Sequence, residues 1–220
     1  FIMIIKDVYS HKGGLEYIKK NHPNELTDVY EAINNIDVAK ALSKKSEEPN
    51  KPALIFSPVN LNSQLKKFFN KKGWTKTDAS KKKGFVEPKI KFADNQFREM
   101  DGIKNKVGLE VEFGKYSYMA YDIFSKMPIF KNHKLIKCGI ELVVSHKMIK
   151  HMSSGVSSFK QIVLDCKERG TADIDIPVLI LGFECTDKDW IAVKQIRKEF
   201  SLGKKINLVG LKGNKPGPKK

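Results

Sequence analysis

The stretch Asp101-Gly-Ile-Lys-Asn-Lys-Val-Gly-Leu-Glu110-Val-Glu112-Phe-Gly-Lys115 decides how this chain is read. Glu110 and Glu112 alternate with Leu109, Val111 and Phe113, so a β-strand over residues 107–113 turns both carboxylates to one face and the apolar side chains to the other. Residues 102–106 are few enough for a tight hairpin that returns Asp101 beside Glu110. Three acids then converge in a chain with a formal net charge of +16. A basic surface implies a polyanionic partner, whereas clustered carboxylates repel one. The two are reconciled if a divalent cation sits between the acids and a phosphate. A hard cation takes oxygen ligands, and Asp101, Glu110 and the main-chain carbonyl of Val111 can supply them from one side. Mg²⁺ held there polarises a phosphodiester, lowers the pKa of a bound water and stabilises the charge on the departing 3′ oxygen. Glu112, on the same face, orients or deprotonates that water. The expected activity is that of a nuclease. The plainer alternative for two glutamates one residue apart is the wet face of a strand.

Around this segment the pattern is that of a sheet with helices packed on it. Tyr116, Met119, Ala120, Ile123, Phe124 and Met127 recur at helical spacing, with Pro128 near the expected end, and the three tyrosines 116, 118 and 121 are expected to pack that helix. Residues 139–145 read as a second core strand, 156–169 as a second amphipathic helix, and 178–183 as an apolar strand buried on both faces. Thr186 with Asp187 and Asp189 caps a last helix carrying Trp190, Ile191 and Ile196. Upstream, Thr27 is a candidate cap for a helix with Val29, Ala32, Ile33, Ile36 and Ala39 in one stripe; residues 53–56 read as a brief strand and 61–72 as a helix.

Composition bounds the class. At 220 residues with 40% hydrophobic content the chain can bury a sizeable core, organised as one domain over 1–203 with a basic, mobile tail over 204–220. The tail holds six lysines and no acid. Phe1 to Ile5 is too short for a signal peptide, and no apolar run approaches the roughly 20 residues of a membrane helix. A cytoplasmic protein without membrane contact is expected. Cys138, Cys166 and Cys185 are odd in number and lie in apolar stretches, which fits buried thiols rather than bridges or zinc. Residues 66–91 hold ten lysines against Asp78 and Glu87 alone, either phosphate contacts or a solvated loop. Trp74 among phenylalanines and lysines reads as core, because duplex DNA offers no unstacked base for it. His133, His146 and His151 match no zinc spacing.

The segment 101–116 resembles the catalytic segment of the BglII and BstYI type II restriction endonucleases, with BamHI a more distant relative. Ala53-Leu-Ile-Phe-Ser-Pro-Val-Asn resembles a stretch upstream in those enzymes, Met152-Ser-Ser-Gly-Val-Ser their recognition loop, and Pro177-Val-Leu-Ile-Leu-Gly-Phe a core strand, so that the likeness spans residues 52–185. It implies an α/β PD-(D/E)XK nuclease core, a central mixed β-sheet flanked by helices. The implied protein is a homodimer that cuts both strands of a short palindromic duplex with Mg²⁺. It also implies that Asp101 and Glu110 are metal ligands, that Glu112 is the third active-site residue, and that Lys115, Ser153 and Ser154 contact bases of a GATC centre. Relatives carry glutamine where this chain has Glu112, while BamHI has glutamate, so ligand, base and water-positioning roles all stay open for it. Phosphate contact for Lys115 and loop capping for the serines are the plainer alternatives. Two competing functions remain: a repair or junction nuclease on the same core, and a basic DNA-binding protein without catalysis. The helix at 116–127 and that at 156–169 are the candidate dimer surface.

Overall fold

The computed structural model describes residues 2–204. Of the expected basic tail, only Lys204 falls within them. Among the described residues a five-stranded sheet forms the centre. Its strands in chain order are β1 (Met3–His11), β2 (Gly102–Lys104), β3 (Val107–Val111), β4 (Cys138–Val144) and β5 (Val178–Cys185). Across the sheet they run β1-β5-β4-β3-β2. β3, β4 and β5 are mutually parallel, while β1 and β2 are antiparallel edges. The sheet is therefore mixed.

Parallel neighbours need long crossovers, and helices supply them. The segment 116–132, here α4, links β3 to β4, and α5 (Phe159–Arg169) links β4 to β5. On the other face lie α1 (Gly14–Asn21), α2 (Pro23–Asn34), α3 (Pro58–Lys71) and α6 (Asp187–Ser201). Alternation along each strand divides the core accordingly. Leu109, Val111, Ile140, Leu142 and Val144 pack with Val29, Ile33, Leu61, Leu65 and Val193. Val143, Val178 and Ile180 pack with Met119, Ile123, Met127, Phe130 and Ile162. β3, β4 and β5 are buried along their whole length, which is why they read as continuous apolar runs.

Several local expectations need correction. α2 begins at Pro23, where proline's fixed φ and missing N–H suit a first turn. Thr27 lies inside it, its hydroxyl donating back to the Pro23 carbonyl at 3.0 Å, and Ile36 and Ala39 fall beyond its end, Ala39 in the separate turn Val38–Ala41. β1 and α1 were not anticipated beyond the apolar start. The helix expected to stop near Pro128 continues to Asn132. Proline has no N–H for the carbonyl four residues back and crowds it, and the helix answers with a π-turn over Asp122–Lys126 just before. Tyr116 and Tyr118 stand exposed at 37% and 52% rather than packing the helix. Thr186 does cap α6, accepting from the Asp189 N–H, and Ser158 with Gln161 forms a capping box on α5.

The three cysteines are free and buried, and Trp74 is fully buried with its indole N–H donated to Asp28 at 3.1 Å. Among the described residues no helix is long and apolar enough to cross a membrane.

Candidate active site

β2 and β3 form the hairpin that the spacing of the acids requires. Gly102 pairs with Leu109, and the turn is made by Asn105 and Lys106 with φ of 45° and 69°, a left-handed pair whose twist suits a two-residue hairpin. Asp101 is thereby carried to the far end of β3, where its Oδ2 accepts from the Val111 N–H at 3.0 Å. Its Oδ1 faces Lys66 of α3 at 3.0 Å. Lys66 in turn reaches Glu87 at 3.4 Å, and Lys83 of the lysine-rich segment reaches the same Glu87 oxygen at 3.4 Å.

Glu110 is only 4% exposed, so it does not lie on a wet strand face. It points towards α4, into the space between the sheet and the π-turn. Lys126 of that turn approaches Glu110 Oε1 at 2.9 Å and Asp122 at 2.5 Å. β4 runs beside β3 with Glu141 opposite Glu110, on the same face and fully buried. Glycine at 139 makes this closeness possible: a Cβ there would collide with Met127 Sδ, holding the helix off the sheet. Among the described residues neither Glu141 oxygen has a hydrogen-bond partner.

The electrostatics follow from burial among like charges. Burial, then the charge of Asp122, raises the Glu110 carboxyl well above its ordinary pKa. Burial raises Asp122 to about 6, against the pull of Lys126. Glu141 is driven well above its ordinary value by burial and by Asp122 and Glu110. Burial opposes the charge on Lys126, yet Glu110 and Asp122 outweigh it and its pKa rises. Glu112 is raised by burial and bends back so that its Oε1 accepts from the Gly114 N–H.

Asp101, Glu110, Glu112 and Lys126 line one cleft of about 430 Å³ with Tyr118 and Asn62, whose Oδ1 is also buried with no partner among the described residues. The three acids singled out in the sequence do share a site. Among the described residues no three His, Cys, Asp or Glu side chains form a metal cage by themselves. A cation there would draw on two carboxylates and the Val111 carbonyl, with water and phosphate completing its shell. The donor set fits one: Asp101, Glu110, Asp122, Glu112 and Glu141 interact around Lys126, and excess buried negative charge is what a hard cation relieves.

Lys126, Asp122, Glu141 and Lys66 were missed. The available signals were the four-residue spacing of Asp122 and Lys126 on one helix and a lone glutamate inside the apolar run 139–145. Lys115 pairs as an isolated bridge with Val156, and the Ser157 N–H donates to the Gly114 carbonyl at 3.3 Å, so the loop bearing Ser153 and Ser154 is tied to the segment that follows Glu112. Ser153 accepts from Lys44 and Ser154 is bonded to Glu48. His151 packs on Trp190 and meets Arg197.

A mixed sheet flanked by helices, with an acid-lined cleft at the end of a hairpin, is the architecture of a restriction-endonuclease-like nuclease. The chain belongs to the restriction endonuclease BglII/BglIII family, whose model matches residues 6–183. In fold it is similar to the crystal structure of restriction endonuclease BglII complexed with a DNA 16-mer, with a TM-score of 0.62 over 84% of this chain and 79% of that one, at 16% identity. No curated protein sequence matches the chain.

Proposed function

We propose that this protein is a Mg²⁺-dependent type II restriction endonuclease that cuts both strands of a short palindromic duplex, with a GATC centre, leaving 5′-phosphate and 3′-hydroxyl ends. The observation that carries the reading is the delivery of Asp101 to the end of β3, its Oδ2 on the Val111 N–H at 3.0 Å, beside buried Glu110 in one cleft. Asp101, Glu110 and the Val111 carbonyl would hold the cation. Bound there, it supplies Lewis acidity towards the phosphate and a more acidic water.

The chain's own residues do the rest. The Val111 N–H fixes one oxygen of the Asp101 carboxylate, so that the other, which faces Lys66, is held in one orientation. Lys126 offsets the charge of Glu110 and Asp122, which lets these acids stand together in a buried place. Glu112 is turned towards Gly114 in this state, and its carboxylate is the group placed to orient or deprotonate a water entering the cleft. Lys115, Ser153 and Ser154 contact bases, residues 1–203 act as one catalytic and DNA-binding domain, and the protein works as a homodimer. For the dimer, exposed Tyr116 on α4 and Leu164 on α5, 37% and 57% accessible, give neighbouring helices an apolar surface.

Digestion of a long DNA of mixed sequence tests the reading. Discrete fragments that re-ligate without end repair are expected with Mg²⁺. A smear, nicking that depends on branched structure, or binding without fragments in any divalent metal would each contradict it.

A further inference from the structure

Glu87 stands between two lysines and, through one of them, beside the acids of the cleft. It follows the hairpin formed by the two-residue strands Lys76–Thr77 and Phe85–Val86 and precedes Pro88, whose carbonyl accepts from the Met100 N–H at 3.0 Å. That bond ties the chain just after Glu87 to the residue just before Asp101. Glu87 Oε1 receives Lys83 Nζ and Lys66 Nζ, each at 3.4 Å, and Lys66 goes on to Asp101 Oδ1 at 3.0 Å. The Glu87 side chain is 9% exposed and that of Lys83 65%, so a phosphate can reach the lysine and not the acid.

Lys66 is therefore divided between two carboxylates. Burial opposes its charge, and Asp101, then Glu87, outweigh burial, so it stays an ammonium between them. Its division depends on how much negative charge each acid offers. Lys83 neutralises part of Glu87; a duplex phosphate that takes Lys83 away leaves this carboxylate with Lys66 alone, and the attraction between the two rises. Lys81, Lys82 and Lys83 are exposed on a hairpin tip closed by the Gly84 N–H on the Lys81 carbonyl at 2.8 Å, and strands of two residues hold such a tip lightly.

We propose that Glu87 is a positioning residue for the cation site: once Lys83 has left it for a DNA phosphate, Glu87 draws Lys66 off Asp101 and clears that carboxylate for the cation. The inference deepens the proposed function and rests on its reading of the cleft as a cation site that acts on DNA. Phosphate contact at the lysine-rich tip and cation uptake at Asp101 then favour each other, and by linkage each strengthens the other by the same factor. The free protein keeps an ammonium on Asp101; the DNA-bound protein does not.

The test titrates Ca²⁺ calorimetrically into the whole protein, first without DNA. Lys83→Gln takes from Glu87 the partner that a phosphate would take, and should tighten Ca²⁺ binding about twofold to threefold, the scale of one partly exposed ion pair. Lys82→Gln removes the same charge one residue earlier, from a side chain that makes no ion pair with Glu87 among the described residues, and should shift affinity by less than about 1.5-fold. In a Glu87→Gln background the effect of Lys83→Gln should vanish, because the two residues act as one unit. Added duplex should then tighten Ca²⁺ binding about twofold to threefold less in Glu87→Gln than in wild type. If Glu87→Gln fails to fold, Lys66→Met replaces it: with no ammonium to relocate, Lys83→Gln must again have no effect. Equal shifts from Lys82→Gln and Lys83→Gln, or a Lys83→Gln effect that persists in Glu87→Gln, overturn the inference while leaving the cation site intact. A wild type that takes up no Ca²⁺ with or without duplex overturns the underlying function as well.

Discussion

Lys66 Nζ stands 3.0 Å from Asp101 Oδ1, so an ammonium from α3 already occupies one side of the acid that the hairpin delivers. A divalent cation arriving at Asp101 competes with that contact. We expect Lys66→Met to tighten Ca²⁺ binding to the DNA-free protein about threefold to fivefold, the scale of a partly exposed ion pair of ~0.6–1 kcal/mol. Calorimetric titration measures it. Weaker binding in the variant would mean that Lys66 holds Asp101 in place instead.

Proton release should accompany cation uptake. Burial keeps the Glu110 pKa well above its ordinary value and sets Asp122 at about 6, so near pH 6 the cation-free site retains protons. Ligand carboxylates must ionise to bind metal, and affinity therefore rises with pH through this range. Ca²⁺ titrations in two buffers of different ionisation enthalpy should give different apparent heats. Identical heats would show that the acids are already ionised.

His151 gives the stability of the fold a second pH dependence, remote from the cleft. Burial, then the charge of Arg197, lowers its pKa to about 4, while the unfolded ring titrates near 6.5. Between these values the unfolded chain binds the additional proton, so stability present above pH 6.5 is lost as pH falls towards 4. Thermal unfolding should show the wild type losing about 1–2 kcal/mol more over that window than His151→Gln. Parallel curves would contradict the shift.

Exposed Lys81, Lys82 and Lys83 precede Glu87, which links this segment to Lys66 and the cleft. If the three contact phosphates, replacing all of them by Gln should reduce the slope of log affinity against log salt by about 2 to 3. Salt titrations of duplex binding measure that slope. An unchanged slope assigns them to solvent.

The fold was legible where burial dictates composition. β4 and β5 are sandwiched between helix layers and cannot carry polar alternation, so their apolar runs in the sequence identify them. β1 escaped because an edge strand tolerates Lys6, Asp7 and Ser10 among its apolar residues, leaving neither clean alternation nor a run. The site was half legible. Asp101, Glu110 and Glu112 lie within one hairpin and its continuation, and local spacing reveals them. Lys66, Asp122, Lys126 and Glu141 come from three other elements and meet the acids only because Gly139 and the π-turn bring α4 close to the sheet and α3 crosses near Asp101. Such convergence leaves no periodic trace.

The most direct measurement compares cleavage and binding in Glu110→Ala on the same duplex. The account predicts that cleavage in Mg²⁺ falls by at least about 10³-fold, the scale of losing a principal electrostatic contribution to the transition state, while binding of the site in Ca²⁺ remains measurable. Cutting at close to the wild-type rate would contradict it.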